Sequence, residues 1–120
     1  MHHARRSFFA FALLLAASAP ALSQSRRVTA VIEVVSRERT PVIPCGQLGP
    51  QPREVVARVL AVEEGSFALG TVRLRWALCS YAGIEPGSRF RVRFQVPAGV
   101  APTPASVYAV SRSEALAADR

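Results

Sequence analysis

The chain has 120 residues, 50% of them hydrophobic and 19% charged, with a formal net charge of +7. That is enough apolar material for one small folded domain, too little length for two, and an ordinary globular balance rather than a disordered one. There is no Lys and no Asn; the only Met is Met1, the only Asp is Asp119, and the only histidines are His2 and His3.

Residues 1–23 read as an export signal peptide. Met1–Arg6 is a short basic head with Arg5 and Arg6, Ser7–Ala19 is apolar or small, and Pro20 breaks the run. Ala21 and Ser23 then flank Leu22, the small-residue pattern of a cleavage site before Gln24. An uncleaved anchor is the competing reading, but the apolar run falls short of the ~20 residues needed to span a bilayer. Arg5-Arg6-Ser7-Phe8-Phe9 resembles a twin-arginine signal, so the export route stays open. No Cys directly follows the apolar run, which argues against a lipoprotein anchor, and no later stretch is long enough to cross a membrane. The expected location is periplasmic or extracellular. Without Arg5 and Arg6, 13 of the 15 basic residues remain against 8 acids, about +5. That charge attracts anions such as nucleic acid, acidic glycan or lipid phosphate. It equally fits a protein whose composition favours Arg over Lys.

Residues 24–112 are expected to form a single β-domain, with 113–120 as a tail. Val28–Ser36 is rich in Val and Ile, the first strand. Arg37–Pro52 is a connection crowded with Pro and Gly, with a very short edge strand at Thr40–Ile43. In Glu54–Val62, the residues Val55, Val56, Val59 and Leu60 would form a stripe on a helix, but β-branched content favours a strand. Glu63-Glu64-Gly65-Ser66 reads as a turn.

Two strands then alternate cleanly. Val72, Leu74, Trp76 and Leu78 share one face of Thr71–Leu78, opposite Thr71, Arg73, Arg75 and Ala77. Phe90, Val92, Phe94 and Val96 share one face of Ser88–Val96, opposite Arg89, Arg91, Arg93 and Gln95. Such alternation means half-buried strands. Ile84-Glu85-Pro86-Gly87 carries a β-turn signal, with Pro86 in the second place and Gly87 in the third of a turn that starts at Glu85. The short connection between these strands points to antiparallel neighbours. Ala105–Val110 is the last strand, and Ser111–Arg120 reads as one or two helical turns opened by Ser111 with Glu114. Cys45 and Cys79 are the only cysteines; export makes a disulfide the default, against two separate buried thiols.

The expected architecture is therefore all-β: a small five- to six-stranded antiparallel barrel, or a compact β-sandwich. The order of strand, long loop, strand, turn and Arg-rich strand, followed by Ile84-Glu85-Pro86-Gly87-Ser88-Arg89-Phe90-Arg91-Val92 with Cys45 and Cys79 in the middle, resembles small exported OB-fold domains, including netrin-like modules. That resemblance spans roughly Val28–Val110 and implies an OB-like barrel. Netrin-like modules usually carry more cysteines, and OB-folds often place a helix between the third and fourth strands. No functional residue is transferred.

Without His or Lys beyond residue 23 there is no imidazole base, triad or Schiff base. No phosphate-binding or nucleophile motif occurs. Two thiols alone cannot complete a zinc shell, and calcium lacks its usual Asp and Asn ligands. No catalytic residue, metal or cofactor is expected, and the protein is read as non-enzymatic. The candidate site is the arginine face: Arg73, Arg75, Arg89, Arg91 and Arg93 crowd one surface once their strands pair. It would engage an anionic partner unless Glu33, Glu54 or another acid neutralises it. Nucleic acid is disfavoured because only Phe67, Tyr81 and Tyr108 are free to stack on bases. Two functions remain open: an exported binding or adaptor module for a protein or acidic envelope component, and a structural β-domain without a ligand.

Overall fold

The computed structural model describes residues 25–117; the expected export signal and residues 118–120 lie outside the described residues. The described chain is all-β, with β1 (Arg26–Arg37), β2 (Gln51–Glu64), β3 (Thr71–Leu78), β4 (Arg89–Val96), β5 (Val107–Ala109) and β6 (Arg112–Leu116). The strands form one open six-stranded sheet in the order β5-β3-β2-β1-β4-β6, with β5 and β6 as its edges, rather than a closed barrel or a two-sheet sandwich. It is a mixed sheet, because β5 runs parallel to β3 while the other pairs are antiparallel. The expectation of a wholly antiparallel arrangement is corrected on that pair.

β1 is the centre. Its inward residues Val28, Ala30, Ile32 and Val34 are buried, as period-2 alternation requires. It pairs with β4 in an unbroken register from Arg26↔Val96 to Glu33↔Arg89. Its pairing with β2 shifts three times, leaving Glu63, Leu60 and Val35 without direct partners. Such bulges bend and twist a strand. They also explain the helix-like stripe: Val55, Ala57, Val59 and Val62 face or pack against the core, with one step lengthened by the bulge at Leu60. β2 passes from one neighbour to the other, with Val55–Glu64 on β1 and Gln51–Arg58 on β3. Pro52 thus sits where β2 has a ladder partner on one side only, the place a strand tolerates proline.

β3 and β4 are not neighbours, contrary to the sequence expectation: β2 and β1 lie between them. The ten-residue link, residues 79–88, is long enough at ~3.3 Å per residue to cross an end of the sheet as well as to close a hairpin. Here it crosses. Ile84 is buried on the way, Gly87 N donates to Val34 O, and Val34 N donates to Ser88 O, each at 2.8 Å. The turn itself is as expected, with Ser88 N donating to Glu85 O and Gly87 at a φ of 92°.

The C-terminal segment is a strand, not helical turns. Ser111 and Glu114 make an acceptable helix start, but β4 offers an unpaired edge, and β6 takes it from Arg93↔Arg112 to Arg89↔Leu116. Only Val110 and Ser111 separate β5 from β6, although these strands end the ladder on opposite sides. The sheet must therefore curl. At the junction, Val110 N donates to Arg75 O on β3 and Ser111 N to Arg93 O on β4. Rings from both sides meet within the curl: Trp76 lies edge-on to Phe90 at 4.9 Å, and Phe94 stacks on Tyr108 at 5.4 Å.

The Cys45–Cys79 disulfide is formed, with Cα atoms 4.9 Å apart. It ties the Pro-rich connection to the end of β3. Thr40–Ile43 lies in that connection and is not a strand. Side chains hold it instead: Tyr81 Oη donates to Thr40 O, Arg53 Nη2 to Pro41 O, and Gln51 brackets the backbone of Ile43.

Two outcomes test this packing. Trp76 is only 6% exposed, so Trp76→Ala should cost about 3–5 kcal/mol in denaturant unfolding. A loss below about 1 kcal/mol would contradict a core role. Thiol titration of the native protein should find no free cysteine. Reduction should lower stability by about 4 kcal/mol in the chain-entropy picture of a closed loop of this length.

Candidate functional site

The five arginines all point outward, but the strand order divides them. Arg73 and Arg75 stand on β3, while Arg89, Arg91 and Arg93 stand on β4. They do not make one surface on paired strands. Each group must be read with its own neighbours.

On β3, Arg73 Nη1 reaches Glu54 Oε1 at 3.0 Å. Arg75 faces Glu54 directly across the ladder, yet it makes no ion pair among the described residues. On β4, Arg89 lies opposite Glu33, with Nε 4.0 Å from Oε2. Arg91 is doubly held: Nε and Nη2 donate to Glu63 at 2.5 and 3.2 Å, and Nη1 donates to Glu114 at 3.1 Å. The bulge places Glu63 where it can reach over β1, and the β4–β6 register places Glu114 beside Arg91. The arginine forks hold the Glu63 carboxyl below the ordinary value for a glutamate and hold the Arg91 guanidinium above its own.

Arg93 differs. Its ladder neighbours are Thr29 on β1 and Arg112 on β6. Neither arginine makes an ion pair among the described residues, and the Nε of Arg93 is shielded from water without a hydrogen-bond acceptor. Thr29 donates to Glu64 at 2.9 Å, so the nearest acid in that row already has a polar partner. A depression of about 170 Å³ opens here, lined by Thr29, Arg91, Val92, Arg93, Arg112 and Glu114. Arg27, paired with Gln95, extends the basic end of the sheet and also makes no ion pair among the described residues. The contribution of Arg112 was hidden in the sequence by the helical reading of its segment.

Other arginines are braces. The Arg37 guanidinium lies 4.3 Å over the Tyr81 ring, donates to Tyr81 O and reaches Glu85 at 3.7 Å. None of the three expected free aromatics is available: Tyr81 is held by Arg37, Phe67 packs edge-on to Phe94, and Tyr108 is buried. No group of three or more potential metal-ligating His, Cys, Asp or Glu side chains occurs among the described residues. The described residues contain no membrane-crossing helix.

Glu38 is the second carboxyl held below its ordinary value, first by the Glu54 N–H at 2.6 Å, then by Thr40 and Arg53. A depressed carboxylate contributes stability above its unfolded pKa, and that contribution is lost as pH falls through the folded value. Thermal stability should therefore hold from neutral pH down to about 5, then fall through and below the carboxylate range near 4. A Glu38→Gln/Glu63→Gln variant should show a shallower acid limb. Superimposable limbs would show that these two groups do not drive it. Arg91 stays charged throughout and adds no slope in this range.

No protein-family model matches the chain, and neither a curated protein nor a solved structure shows significant similarity to it.

Proposed function

We propose that this chain is an exported, non-enzymatic binding module that engages an acidic partner, a protein or an envelope component, through the outer face of β4 and β6. One observation carries the reading. The sheet neutralises Arg73, Arg89 and Arg91 with Glu54, Glu33, Glu63 and Glu114, yet sets Arg93 and Arg112 directly opposite each other with no acid paired to either among the described residues. Like charges in that relation destabilise a sheet. An anionic visitor removes the penalty, and arginine forks suit carboxylate, phosphate and sulfate.

The strand order supports an OB-like arrangement of the strands. β1 lies between β2 and β4, and the last segment runs parallel to β3 before turning onto β4. The disulfide and the N-terminal sequence support export. Nucleic acid fits less well, because the described residues leave no ring free for base stacking. The ligand-free reading draws its support from the ion pairs of Arg73, Arg89 and Arg91, which already solvate much of the outer face.

Heparin chromatography separates the two. The mature protein should elute at higher salt than a protein of equal charge without the cluster, since exposed contacts are screened. An Arg93→Gln/Arg112→Gln variant should elute much earlier than the charge-matched Arg39→Gln/Arg75→Gln variant. Equal elution of the two variants would favour the ligand-free domain.

A further inference from the structure

Among the described residues, the outer face of β4 and β6 carries a pair of cations with no counter-ion, a depression beside them and a shielded donor without an acceptor. Each has a separate cause. The pairing Arg93↔Arg112 follows from the β6 register. The depression of about 170 Å³ lies over that register. The Nε of Arg93 is enclosed while the rest of its side chain stays half-exposed.

We propose that Arg93 and Arg112 form a two-armed clamp for one tetrahedral oxyanion, a phosphate or sulfate group. The inference rests on the reading of this face as an anion-binding surface and gives it a ligand chemistry. Residues directly opposite on antiparallel strands have Cβ atoms about 5 Å apart, so two guanidinium groups can close on one small anion. A dianion balances both charges, where a single carboxylate balances one. A water molecule takes up about 30 Å³ in the liquid, so the depression holds a tetrahedral anion with part of its hydration shell. An anion oxygen also supplies the acceptor that Arg93 Nε lacks, whose absence is costly in a shielded place.

The acids nearby do not compete. Glu114 lines the same depression, but Arg91 Nη1 holds its carboxylate at 3.1 Å. Glu63 is bound to the same guanidinium, and Glu64 accepts from Thr29. Arg91 therefore acts as a positioning residue that holds the Glu114 carboxylate.

The test is a titration of the mature chain with inorganic phosphate near neutral pH, at ionic strength held constant with chloride. Arginine side-chain N–H resonances are the readout. The clamp requires saturable shifts at Arg93 and Arg112 and a weakening of about tenfold or more in both Arg93→Gln and Arg112→Gln, the loss expected for a charge-assisted contact. Arg93→Lys should restore binding only partly, because it keeps the charge and loses the fork. Retained backbone spectra in each variant exclude unfolding as the cause. Non-saturating shifts, or saturation untouched by both Gln variants, would overturn the clamp. Loss of the clamp with heparin retention intact would leave the broader reading standing. Site-specific phosphate binding without enhanced heparin retention would keep the clamp and reject a polyanionic glycan partner. Displacement of phosphate by vesicles bearing phosphate-monoester headgroups assigns a lipid source. Displacement by heparin assigns a sulfated glycan, and displacement by neither assigns the free ion.

Discussion

β1 is hydrogen-bonded on both sides, and most of the structure is set by how its two neighbours differ. β4 lies along it in regular register, so the outward rows of β1 and β4 match residue for residue. β2 cannot follow the same path, because it must leave β1 and reach β3. Three register shifts give it that bend. The bend carries Val55, Ala57 and Val59 over the interior and moves Glu63 into reach of Arg91. The irregular β1–β2 pairing thus serves both the core and the outer charge pattern.

The same pairing sorts the arginines. An outward residue meets whatever its two strand partners present in its row. Arg89 meets Glu33 on one side and Leu116 on the other. Arg91 meets Val31 and Glu114, with Glu63 arriving from the bulge. Arg93 meets Thr29 and Arg112. Moving along β4 by two residues changes a balanced row into an uncompensated one. Net charge alone could not locate this, because exposed ion pairs and unpaired cations contribute to it alike.

Much of the fold was legible in the sequence. The alternation in β3 and β4 identified their buried faces, and Val72, Leu74, Trp76, Phe90, Val92 and Phe94 are all buried together. The disulfide and the Pro86-Gly87 turn were legible from residue chemistry. Strand order was not. Alternation reports which side faces the core and nothing about which strand lies alongside. A short link between two amphipathic strands reads as a hairpin unless a buried Ile84 shows that it crosses an end. β6 was hidden for a different reason: its own residues suit a helix start, and the open edge of β4 overrides them. Missing β6 concealed Arg112, and with it the one row among the described residues where two arginines face each other.

The domain is chemically polar from end to end. At the end holding Arg37, Gln51 and Leu78, the disulfide, the Arg37–Tyr81 contact and Arg53 fasten the long connection to the sheet. At the other end, Gly65 turns tightly after β2, where a side chain would run into the Arg27 carbonyl oxygen. Here Arg27, Arg93 and Arg112 lack ion-pair partners among the described residues. At the first end Arg37 and Arg53 hold backbone oxygens, and Arg37 also lies over an aromatic ring, so their charge is put to structural use. Packing does not call for Arg at position 112, whose side chain is exposed on an edge strand. A neutral polar residue there would relieve the repulsion with Arg93 without disturbing the core. Stability alone therefore gives no reason for this pair, whereas an anion held between the two side chains does.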